Sequence, residues 1–326
     1  MEEPAINDLP TRLSAQTSAG TLPTRSDVVR AQQTLGADVH KTPVLTSRSL
    51  NKMAGVELFF KCENLQRTGS FKIRGALNAA RSYVQSSDGR DSSEPLVTHS
   101  SGNHGAALAL AGKEVGRKVV VVVPGNAPES KKANIARYGA ETVFCGPTIS
   151  DREAALATVL RNGGHVVPPY NDGRVMAGQG TLALELVADV PDLDELWVPV
   201  GGGGMASGCV AAVGDAVQVH GVEPELADDA WESLTSGTLV GPRTPVSVAD
   251  GLRGALGPLT FEMLRRYELP IHRVSEAQII AAQRLLMECL KVVVEPSGAV
   301  VFAAALEKTT PGKRLGLVIS GGNLDL

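Results

Sequence analysis

Residues 118–123 constrain the fold more than any other stretch, because Lys118 is followed by valine at every position to Val123. Such a strand is apolar on both faces and must be covered on both. Similar apolar runs, which we interpret as strands, lie at 56–61, 95–99, 141–144, 195–200, 218–222 and 315–319. The helices predicted between them lie at 72–85, 105–115, 130–138, 205–215 and 276–290. The alternation predicts an α/β fold with mostly parallel sheet.

The chain has 326 residues, which suits two modest domains better than one compact core. Its net charge of −4 gives no reason to expect nucleic-acid binding. No apolar run approaches the roughly 18 to 20 residues of a membrane span. Residues 1–20 begin with acidic side chains and have no apolar core, so they do not resemble a secretory signal. Their Pro, Thr and Ser content predicts a mobile tail.

The four cysteines are scattered and include no Cys-x-x-Cys pair; they are Cys62, Cys145, Cys209 and Cys289. This distribution is typical of free thiols in a reducing compartment. We therefore expect a cytoplasmic protein.

A glycine run, Gly201-Gly-Gly-Gly-Met205, lies between a predicted strand and a predicted helix. Glycines there let the backbone approach a bound group closely, and their N–H groups with the helix N-terminus suit a phosphate. The run lacks both the Lys-Ser/Thr of a Walker loop and the spacing of a dinucleotide-binding motif. Taken alone, the same pattern is also typical of a flexible turn.

Lys72 follows Thr68-Gly69-Ser70, which we interpret as a turn and helix cap. It thus lies in the first helical turn, where the helix dipole disfavours a structural cation. An amine kept reactive for imine formation explains such a lysine. An ordinary surface lysine remains the alternative from this segment alone.

A third motif, Thr98-His-Ser-Ser-Gly-Asn-His-Gly105, joins a strand end to a helix start. Its N–H groups and two serine hydroxyls are suited to a carboxylate at the helix N-terminus. A capped turn without a ligand has the same pattern.

These three motifs, in this order and spacing, resemble the fold-type II pyridoxal-phosphate enzymes, and more closely the serine racemase and serine/threonine dehydratase family. Further matching stretches begin at Ala177 (Ala-Gly-Gln-Gly-Thr), Ala249 (Ala-Asp-Gly), Glu295 (Glu-Pro-Ser-Gly) and Ser320 (Ser-Gly-Gly-Asn-Leu-Asp). The resemblance covers residues 26–326. Because no regulatory domain follows Leu326, we expect no isoleucine feedback.

The resemblance implies two open, twisted, mostly parallel sheets covered by helices. It implies a large cofactor-binding domain from residues 21–94 and 172–326, and a small domain from residues 95–171. It also implies a homodimer.

By resemblance, Lys72 is the Schiff-base lysine and the base on one face of the cofactor. Phe71 would pack on the pyridine ring, and Asn103 would bond to the ring hydroxyl. Ser320 would face the ring nitrogen and leave it unprotonated, which tunes the cofactor's electronics. The other cofactor-binding residues that the resemblance implies are Gly201, Gly202, Gly203, Gly204, Met205 and Gly251.

Ser101 occupies the position of the acid/base on the opposite face in racemases, which favours some racemase activity. The substrate carboxylate would contact Ser100, Ser101, Asn103 and His104, although His104 is alternatively a plain helix residue. Arg152 aligns with an arginine that reaches the substrate in the racemase-like branch, and is alternatively a solvated helix residue.

Two segments depart from the racemase pattern. Pro168-Pro-Tyr170 replaces His-Pro-Asn, and Arg253-Gly254 replaces a basic residue followed by serine. Losing that serine puts strict serine racemisation in doubt and leaves room beside Arg152 and Arg253. Two cations there would suit a substrate with a second carboxylate, such as 3-hydroxyaspartate.

An acidic segment follows the strand at 218–222. Glu223, Asp229 and the carbonyl of Ala227 match the family's divalent metal site. Oxygen ligands suit Mg²⁺ or Ca²⁺. An acidic loop is the alternative from sequence alone.

The function implied is β-elimination of water, then loss of ammonia, from a small amino acid such as serine or threonine, with possible serine racemase activity. The alternatives are a 3-hydroxyaspartate dehydratase and, outside the enzymes, a silent pyridoxal-phosphate-binding protein. Cysteine synthase-like replacement is disfavoured by the motifs at 70–75 and 223–229. We expect no nucleic-acid or membrane partner.

Overall fold

The computed structural model describes residues 20–86, 93–100 and 102–324. Within these residues the strands are β1 (Val44–Leu45), β2 (Glu57–Cys62), β3 (Leu96–Thr98), β4 (Val119–Pro124), β5 (Glu141–Cys145), β6 (His165–Val166), β7 (Glu195–Pro199), β8 (Gln218–Pro224), β9 (Ile271–Val274) and β10 (Arg314–Ile319).

The described α-helices are α1 (Arg25–Leu35), α2 (Arg48–Ala54), α3 (Lys72–Gln85), α4 (Asn103–Glu114), α5 (Glu129–Arg137), α6 (Ile149–Arg161), α7 (Gly173–Asp189), α8 (Gly204–Val213), α9 (Asp229–Ser236), α10 (Pro258–Arg266), α11 (Glu276–Leu290) and α12 (Pro296–Lys308). Most of them alternate with these strands, and two pairs, α9 with α10 and α11 with α12, follow each other directly.

The described strands form two sheets. The six-stranded sheet has the order β1-β2-β10-β7-β8-β9, and the four-stranded sheet has the order β5-β4-β3-β6. Every neighbouring pair is parallel except β1 with β2. The predicted α/β fold with two mostly parallel sheets is therefore confirmed.

Helices cover both sheets, and the apolar strands are buried as predicted. Val121, Val122 and Val123 of β4 have no exposed surface. Each such side chain contributes about 1.5–3 kcal/mol through burial. In the larger sheet, Phe60 of β2 packs edge-on against Phe302 of α12 with ring centroids 5.8 Å apart. Among the described residues, the buried apolar side chains form four clusters around the two sheets, and these clusters hold the strand ends that carry the site.

Several elements were not predicted from the sequence. Burial explains this for two helices, and short length explains it for two strands. Helix α7 is buried along almost its whole length, so its sequence lacks the polar stripe that marks an amphipathic helix. Helix α12 is likewise buried over most of its length. Strands β1 and β6 have two residues each, too few for a periodic pattern. The remaining missed elements are α1, α2, α6, α9, α10 and β9.

The end of the described chain ties the region around Lys72 to the six-stranded sheet. Ser70 forms an isolated bridge with Gly321, and Phe71 N donates to Ser320 O at 3.1 Å. These contacts bring the segment after β10 beside the start of α3. Among the described residues, no helix has the length and apolar character needed to cross a membrane.

Candidate cofactor and substrate site

Lys72 is the first residue of α3, and its side chain is half-buried. Its ammonium donates to Pro169 O at 2.9 Å and lies 5.0 Å from the ring centroid of Phe71. Burial lowers the pKa of Lys72 to about 8, and Glu295 opposes that shift. The amine is thus held mainly by one backbone carbonyl and is neutral in a larger fraction of molecules than an ordinary lysine.

The turn before Lys72 is tight. Thr68 and Gly69 have positive φ angles of 63° and 75°. A Cβ atom at Gly69 would lie 2.3 Å from Asn323 Oδ1, so glycine is required by both backbone and packing. Asn323 Nδ2 donates to Thr68 O at 2.8 Å and holds the turn in place. The predicted turn between Thr68 and Ser70 is confirmed, whereas the predicted helix cap is wrong, because Phe71 is the N-cap residue and no side chain caps the helix.

The glycine run connects β7 to α8, as the sequence predicted. A Cβ atom at each of its positions would lie under 3.0 Å from another residue: 2.9 Å at Gly201, 2.3 Å at Gly202, 2.6 Å at Gly203 and 2.7 Å at Gly204. Gly203 also has a φ of 80°. Only glycines fit this close backbone path, which ends at a helix N-terminus. The geometry suits a phosphate held by backbone N–H groups.

Tyr170 packs on this loop. Its ring is the group that a Cβ atom at Gly202 would meet, and a Cβ atom at Gly254 would lie 3.9 Å from Tyr170 Cε1. The ring therefore fills space that the sequence analysis left open beside Gly254. Arg253 is exposed, and its Nε donates to Ser247 O at 2.9 Å. Since its guanidinium contacts a backbone carbonyl, we assign Arg253 no substrate contact.

Asn103 begins α4 and lies between two side chains, Glu295 and Asn323, from segments that flank the six-stranded sheet. Its Nδ2 donates to both carboxylate oxygens of Glu295, at 3.0 and 3.2 Å, and its Oδ1 accepts from Asn323 Nδ2 at 2.8 Å. Ser320 is buried; its carbonyl accepts from Phe71 N, and the carbonyl of the next residue, Gly321, accepts from Glu295 N. The cluster brings together the residues expected around a cofactor ring.

Gly251 lies on the same side of the site. Its N–H donates to Ser297 Oγ at 3.0 Å, and a Cβ atom on it would lie 3.9 Å from Glu295 Oε1. The Cα of Leu252 is the group nearest to a Cβ atom at Gly201. Residues 251 and 252 therefore join the glycine run to the cluster around Glu295.

The residues expected at the substrate carboxylate are only partly described. Ser100 is half-buried at the end of β3, while Ser101 lies outside the described residues. Arg152, on α6, is half-buried. Burial is the main cause that lowers the pKa of His99, and the positive charge of Arg152 lowers it further. Arg152 is therefore near the end of β3, although its guanidinium makes only one described hydrogen bond, a long one from Nε to Thr148 O at 3.5 Å.

His104 does not suit a carboxylate contact. It is buried, and burial lowers its pKa to about 3, so the ring is neutral. Its Nε2 lies 3.0 Å from Val167 O and must donate to that carbonyl. Nδ1 is then an acceptor without a described partner, and an acceptor repels a carboxylate. The alternative assignment, a structural helix residue, fits this geometry.

Glu223 and Asp229 are both buried at the end of β8 and the start of α9. Glu223 accepts backbone N–H groups of α9 at 3.2 and 2.8 Å, and Asp229 accepts Leu256 N at 3.0 Å. Burial, then Asp229, raises the pKa of Glu223 well above its usual value; burial also raises the pKa of Asp229 to about 6. Two adjacent buried carboxylates of this kind suit a cation, with the carbonyl of buried Ala227 between them in the chain.

The described residues contain no cluster of three or more His, Cys, Asp and Glu side chains that could hold a metal ion. A cation at Glu223 and Asp229 would need backbone carbonyl and water ligands in addition, as Mg²⁺ and Ca²⁺ accept. Leu256 connects this pair to the glycine run. Its N–H donates to Asp229, and its side chain would lie 2.6 Å from a Cβ atom at Gly203.

Glu295, Asn323 and Pro169 contact the site residues, but the sequence analysis gave them no role. The stretches containing Glu295 and Asn323 were noted only as part of the resemblance. The available signal was that Glu295 precedes a proline and Asn323 follows two glycines, since proline and glycine mark turns and loops.

Comparison with known proteins places this site in context. The family model described as "Pyridoxal-phosphate dependent enzyme" matches residues 36–321. The chain is 44% identical to a serine racemase of Arabidopsis thaliana over 299 residues, covering 88% of this chain and 89% of that protein. It is 41% identical to a beta-hydroxyaspartate dehydratase of Paracoccus denitrificans, covering 94% of this chain and 98% of that protein.

Solved structures give the same result. The structure of maize serine racemase superposes with a TM-score of 0.89 at 37% identity, covering 94% of this chain and 95% of that chain. The structure of a threonine deaminase from T.th. superposes with a TM-score of 0.87 at 40% identity, covering 93% of this chain and 99% of that chain.

Proposed function

This chain belongs to the pyridoxal-phosphate-dependent enzyme family, and from that premise we propose that it removes water and then ammonia from a small β-hydroxy amino acid, serine or threonine. The observation that carries the proposal is Lys72: a half-buried amine that donates to the Pro169 carbonyl and lies near Glu295, the carboxylate that binds Asn103. The similarity to serine racemases and a threonine deaminase supports the reaction class.

The residues present fit pyridoxal phosphate. The glycine path from Gly201 to Gly204 is too close to its neighbours for any side chain and leaves backbone N–H groups for the phosphate. Lys72 would hold the aldehyde carbon, and Phe71 would pack on the ring. Asn103 would donate to the ring hydroxyl, Ser320 would face the ring nitrogen, and the remaining contacts would come from Met205 and Gly251.

When bound, pyridoxal phosphate supplies an electron sink that stabilises negative charge at the substrate α-carbon. Lys72 Nζ, once displaced by the substrate amine, would accept the α-proton. Its lowered pKa increases the neutral fraction that is able to do so near pH 8. The β-hydroxyl group would leave as water by taking up one proton, which balances the α-proton accepted by Lys72, and hydrolysis of the dehydrated product by a second water would release ammonia and a 2-oxo acid.

The N-terminus of α4 would bind the substrate carboxylate through Ser100, Ser101 and Asn103. Such a terminus carries unpaired N–H groups that favour an anion. Ser101 would also act as acid/base on the face opposite Lys72. Delivery of a proton from that face, in place of elimination, would give the D-amino acid.

A dehydratase of 3-hydroxyaspartate is the second candidate. The specific support is the similarity to a beta-hydroxyaspartate dehydratase along 98% of that protein's length. Arg152 would bind the second carboxylate, because it lies near His99 at the end of β3. Arg253 is not part of this candidate site, since its guanidinium contacts Ser247 O.

We further propose that Glu223, Asp229 and the Ala227 carbonyl bind Mg²⁺ or Ca²⁺ with waters. The two carboxylates are buried beside each other, their described donors are backbone N–H groups, and a divalent cation would stabilise their ionised forms. The site would brace the loop behind the glycine run and would not take part in the reaction. The division into residues 21–94 and 172–326 against 95–171, the homodimer and the cytoplasmic location remain proposals of the same kind.

The experiment is a substrate panel with purified protein, pyridoxal phosphate and Mg²⁺. L-serine, D-serine, L-threonine and the 3-hydroxyaspartate isomers are each incubated, and both 2-oxo acid release and chiral composition are measured. Fastest release of pyruvate or 2-oxobutyrate supports the first proposal, and D-serine formation supports the racemase role of Ser101. Dominant oxaloacetate release would move the substrate to the dicarboxylate. A coloured protein that releases no 2-oxo acid would contradict both proposals and indicate a silent cofactor-binding protein.

A further inference from the structure

Glu295 is a buried carboxylate in the middle of the site, with 5% of its surface exposed. Its two oxygens accept from Asn103 Nδ2, and Oε2 also accepts from Asn323 N at 3.2 Å. Its own N–H donates to Gly321 O at 3.0 Å. A Cβ atom at Gly321 would lie 2.6 Å from Glu295 Oε1, so the chain end packs directly on the carboxylate. The geometry fixes Glu295 tightly, although the proposed reaction gives it no role.

These contacts determine how the amide of Asn103 is oriented. An amide group can turn over and exchange its oxygen and nitrogen, because both ends have similar size. In this structure the oxygen faces Asn323 Nδ2, a donor, and the nitrogen faces Glu295, an acceptor. Turning the amide over would place donor against donor and acceptor against acceptor. The contact with the carboxylate uses one of the two N–H bonds of Nδ2 and leaves the other for a ligand.

A carboxylate accepts at every one of these contacts. Asn103 Nδ2 lies within bonding distance of both oxygens of Glu295, at 3.0 and 3.2 Å, and Asn323 N donates to Oε2 at 3.2 Å. A glutamine with its oxygen in the place of Oε2 would still accept from both donors, but its NH₂ group would then face Asn103 Nδ2, donor against donor. A neutral amide would therefore weaken the hold on Asn103 that the carboxylate provides.

We propose that Glu295 is a positioning residue that locks the Asn103 amide with its NH₂ group toward the cofactor ring hydroxyl, an inference that rests on the proposed function. Glu295 acts through Asn103, and Asn323 closes the arrangement from the other side. The electrostatics agree, because Glu295 raises the pKa of Lys72 against the effect of burial and so lies near the amine. Burial raises the pKa of Glu295 itself to about 7, while the Asn103 and Asn323 N–H groups favour its ionised form.

The test is a double-mutant cycle on the equilibrium binding of pyridoxal phosphate to the apo-protein, followed by visible absorbance. The proteins are the wild type, Glu295→Gln, Asn103→Ala and the double variant. We expect Glu295→Gln to weaken binding about tenfold, the effect of losing a charge-assisted hydrogen bond. In the Asn103→Ala background the same substitution should change the dissociation constant less than about twofold, because there is no amide left to orient.

Asn323→Ala provides a second variant that leaves Glu295 unchanged. It removes the donor to Asn103 Oδ1 and the donor to Thr68 O, so it should weaken binding severalfold in the wild type and clearly less in Asn103→Ala, where only the contact with the turn remains to be lost. The matched control is Glu195→Gln, which removes another buried carboxylate, one that accepts from Trp197 Nε1 at 2.9 Å. This control should bind the cofactor as the wild type does, and thermal unfolding of each apo-protein verifies folding.

An equal loss of affinity from Glu295→Gln with and without Asn103 would overturn the inference, as would an equal loss in Glu195→Gln. Failure of the proposed function has a different appearance: the wild type itself would then develop no visible absorbance band that depends on Lys72. A wild type with that band and variants without coupling would refute the role of Glu295 alone.

Discussion

Lys61 and Lys72 lie in the same part of the chain, Lys61 buried and Lys72 half-buried, and the partners of their amines differ. Lys61, in β2, has no exposed side-chain surface; its ammonium pairs with Glu185 at 2.6 Å and donates to Thr42 O at 2.8 Å. Arg74 joins the same network through Glu185 and Glu63. Lys72 donates to one carbonyl, and no carboxylate among the described residues lies within bonding distance of it. A buried amine with full pairing is structural, whereas one without it is free to react.

The same contrast separates the buried carboxylates. Burial alone would raise the pKa of Glu63, but the Arg74 guanidinium reverses this, and the pKa of Glu63 lies below its usual value. No such cation from the described part of the chain pairs with Glu223, and its pKa is raised. Pairing inside the protein therefore distinguishes groups that hold the fold from groups that are available to a ligand.

The largest expected effect is from Lys72→Ala. We expect the visible absorbance of the cofactor-loaded protein to disappear and 2-oxo acid release to fall at least about 10³-fold, since the base is lost. The free energy of unfolding of the apo-protein should not fall, because the lost group carries a desolvation cost and one hydrogen bond. Absorbance spectra and urea unfolding check both parts. An unchanged spectrum would refute the assignment of Lys72.

Lys61→Met should have the opposite profile. The substitution removes the ion pair with Glu185, which then keeps Arg74 as its partner, and it removes the donor to Thr42 O. We therefore expect the free energy of unfolding to fall by about 3 kcal/mol. The cofactor absorbance band should persist in the folded protein. The matched control is Lys113→Met at an exposed lysine, which should change stability by less than about 0.5 kcal/mol. Equal stability of the two variants would remove the structural role from Lys61.

The third effect concerns the pH dependence of the rate at which Lys72 captures pyridoxal phosphate. Only the neutral amine attacks an aldehyde, and burial lowers the pKa of Lys72 to about 8. The rate at which apo-protein captures pyridoxal phosphate should therefore rise with pH up to about 8 and then level off. Nα-acetyl-lysine, whose side-chain amine has the usual lysine pKa of about 10.4, serves as the reference, and its rate of reaction should keep rising beyond that pH. Parallel profiles for the two amines would show that Lys72 is not activated by burial.

The smallest expected effect concerns the unpaired carboxylates. Millimolar Mg²⁺ or Ca²⁺ should raise the thermal midpoint of unfolding by a few degrees, because a ligand that binds only the folded state stabilises it. Glu223→Gln should abolish that increase. Glu232→Gln, at a half-exposed carboxylate paired with Arg243, is the control and should retain it. A cation effect that is equal in both variants would place the metal elsewhere.

Much of this arrangement could be predicted from sequence, because the site follows apolar strands. The bounds of α3 at Lys72 and Gln85, and those of α11 at Glu276 and Leu290, agree with the predicted segments. The apolar run at residues 118–123 predicted β4. The alternation of apolar strands and helices predicted that the glycine run follows the end of a strand. These features depend on local periodicity and on glycine, which a single sequence displays.

Other parts depend on contacts between distant residues. The pairing of Lys61 with Glu185 spans 124 positions, and that of Asn103 with Glu295 spans 192. Neither lysine shows in its own segment whether it is paired, so the segment around Lys72 left a surface lysine as an alternative. Arg253 and His104 were assigned from aligned positions, and the contacts that decide their roles, with Ser247 O and Val167 O, come from the tertiary fold.

The most direct test of the central claim is to locate the bound cofactor on the chain. The cofactor-loaded protein is reduced with borohydride, which makes a carbon–nitrogen bond permanent, then digested and analysed by peptide mass spectrometry. We predict the pyridoxyl mass on the peptide containing Lys72, with Lys61 unmodified. Modification of Lys61, of another lysine, or of none would contradict the account.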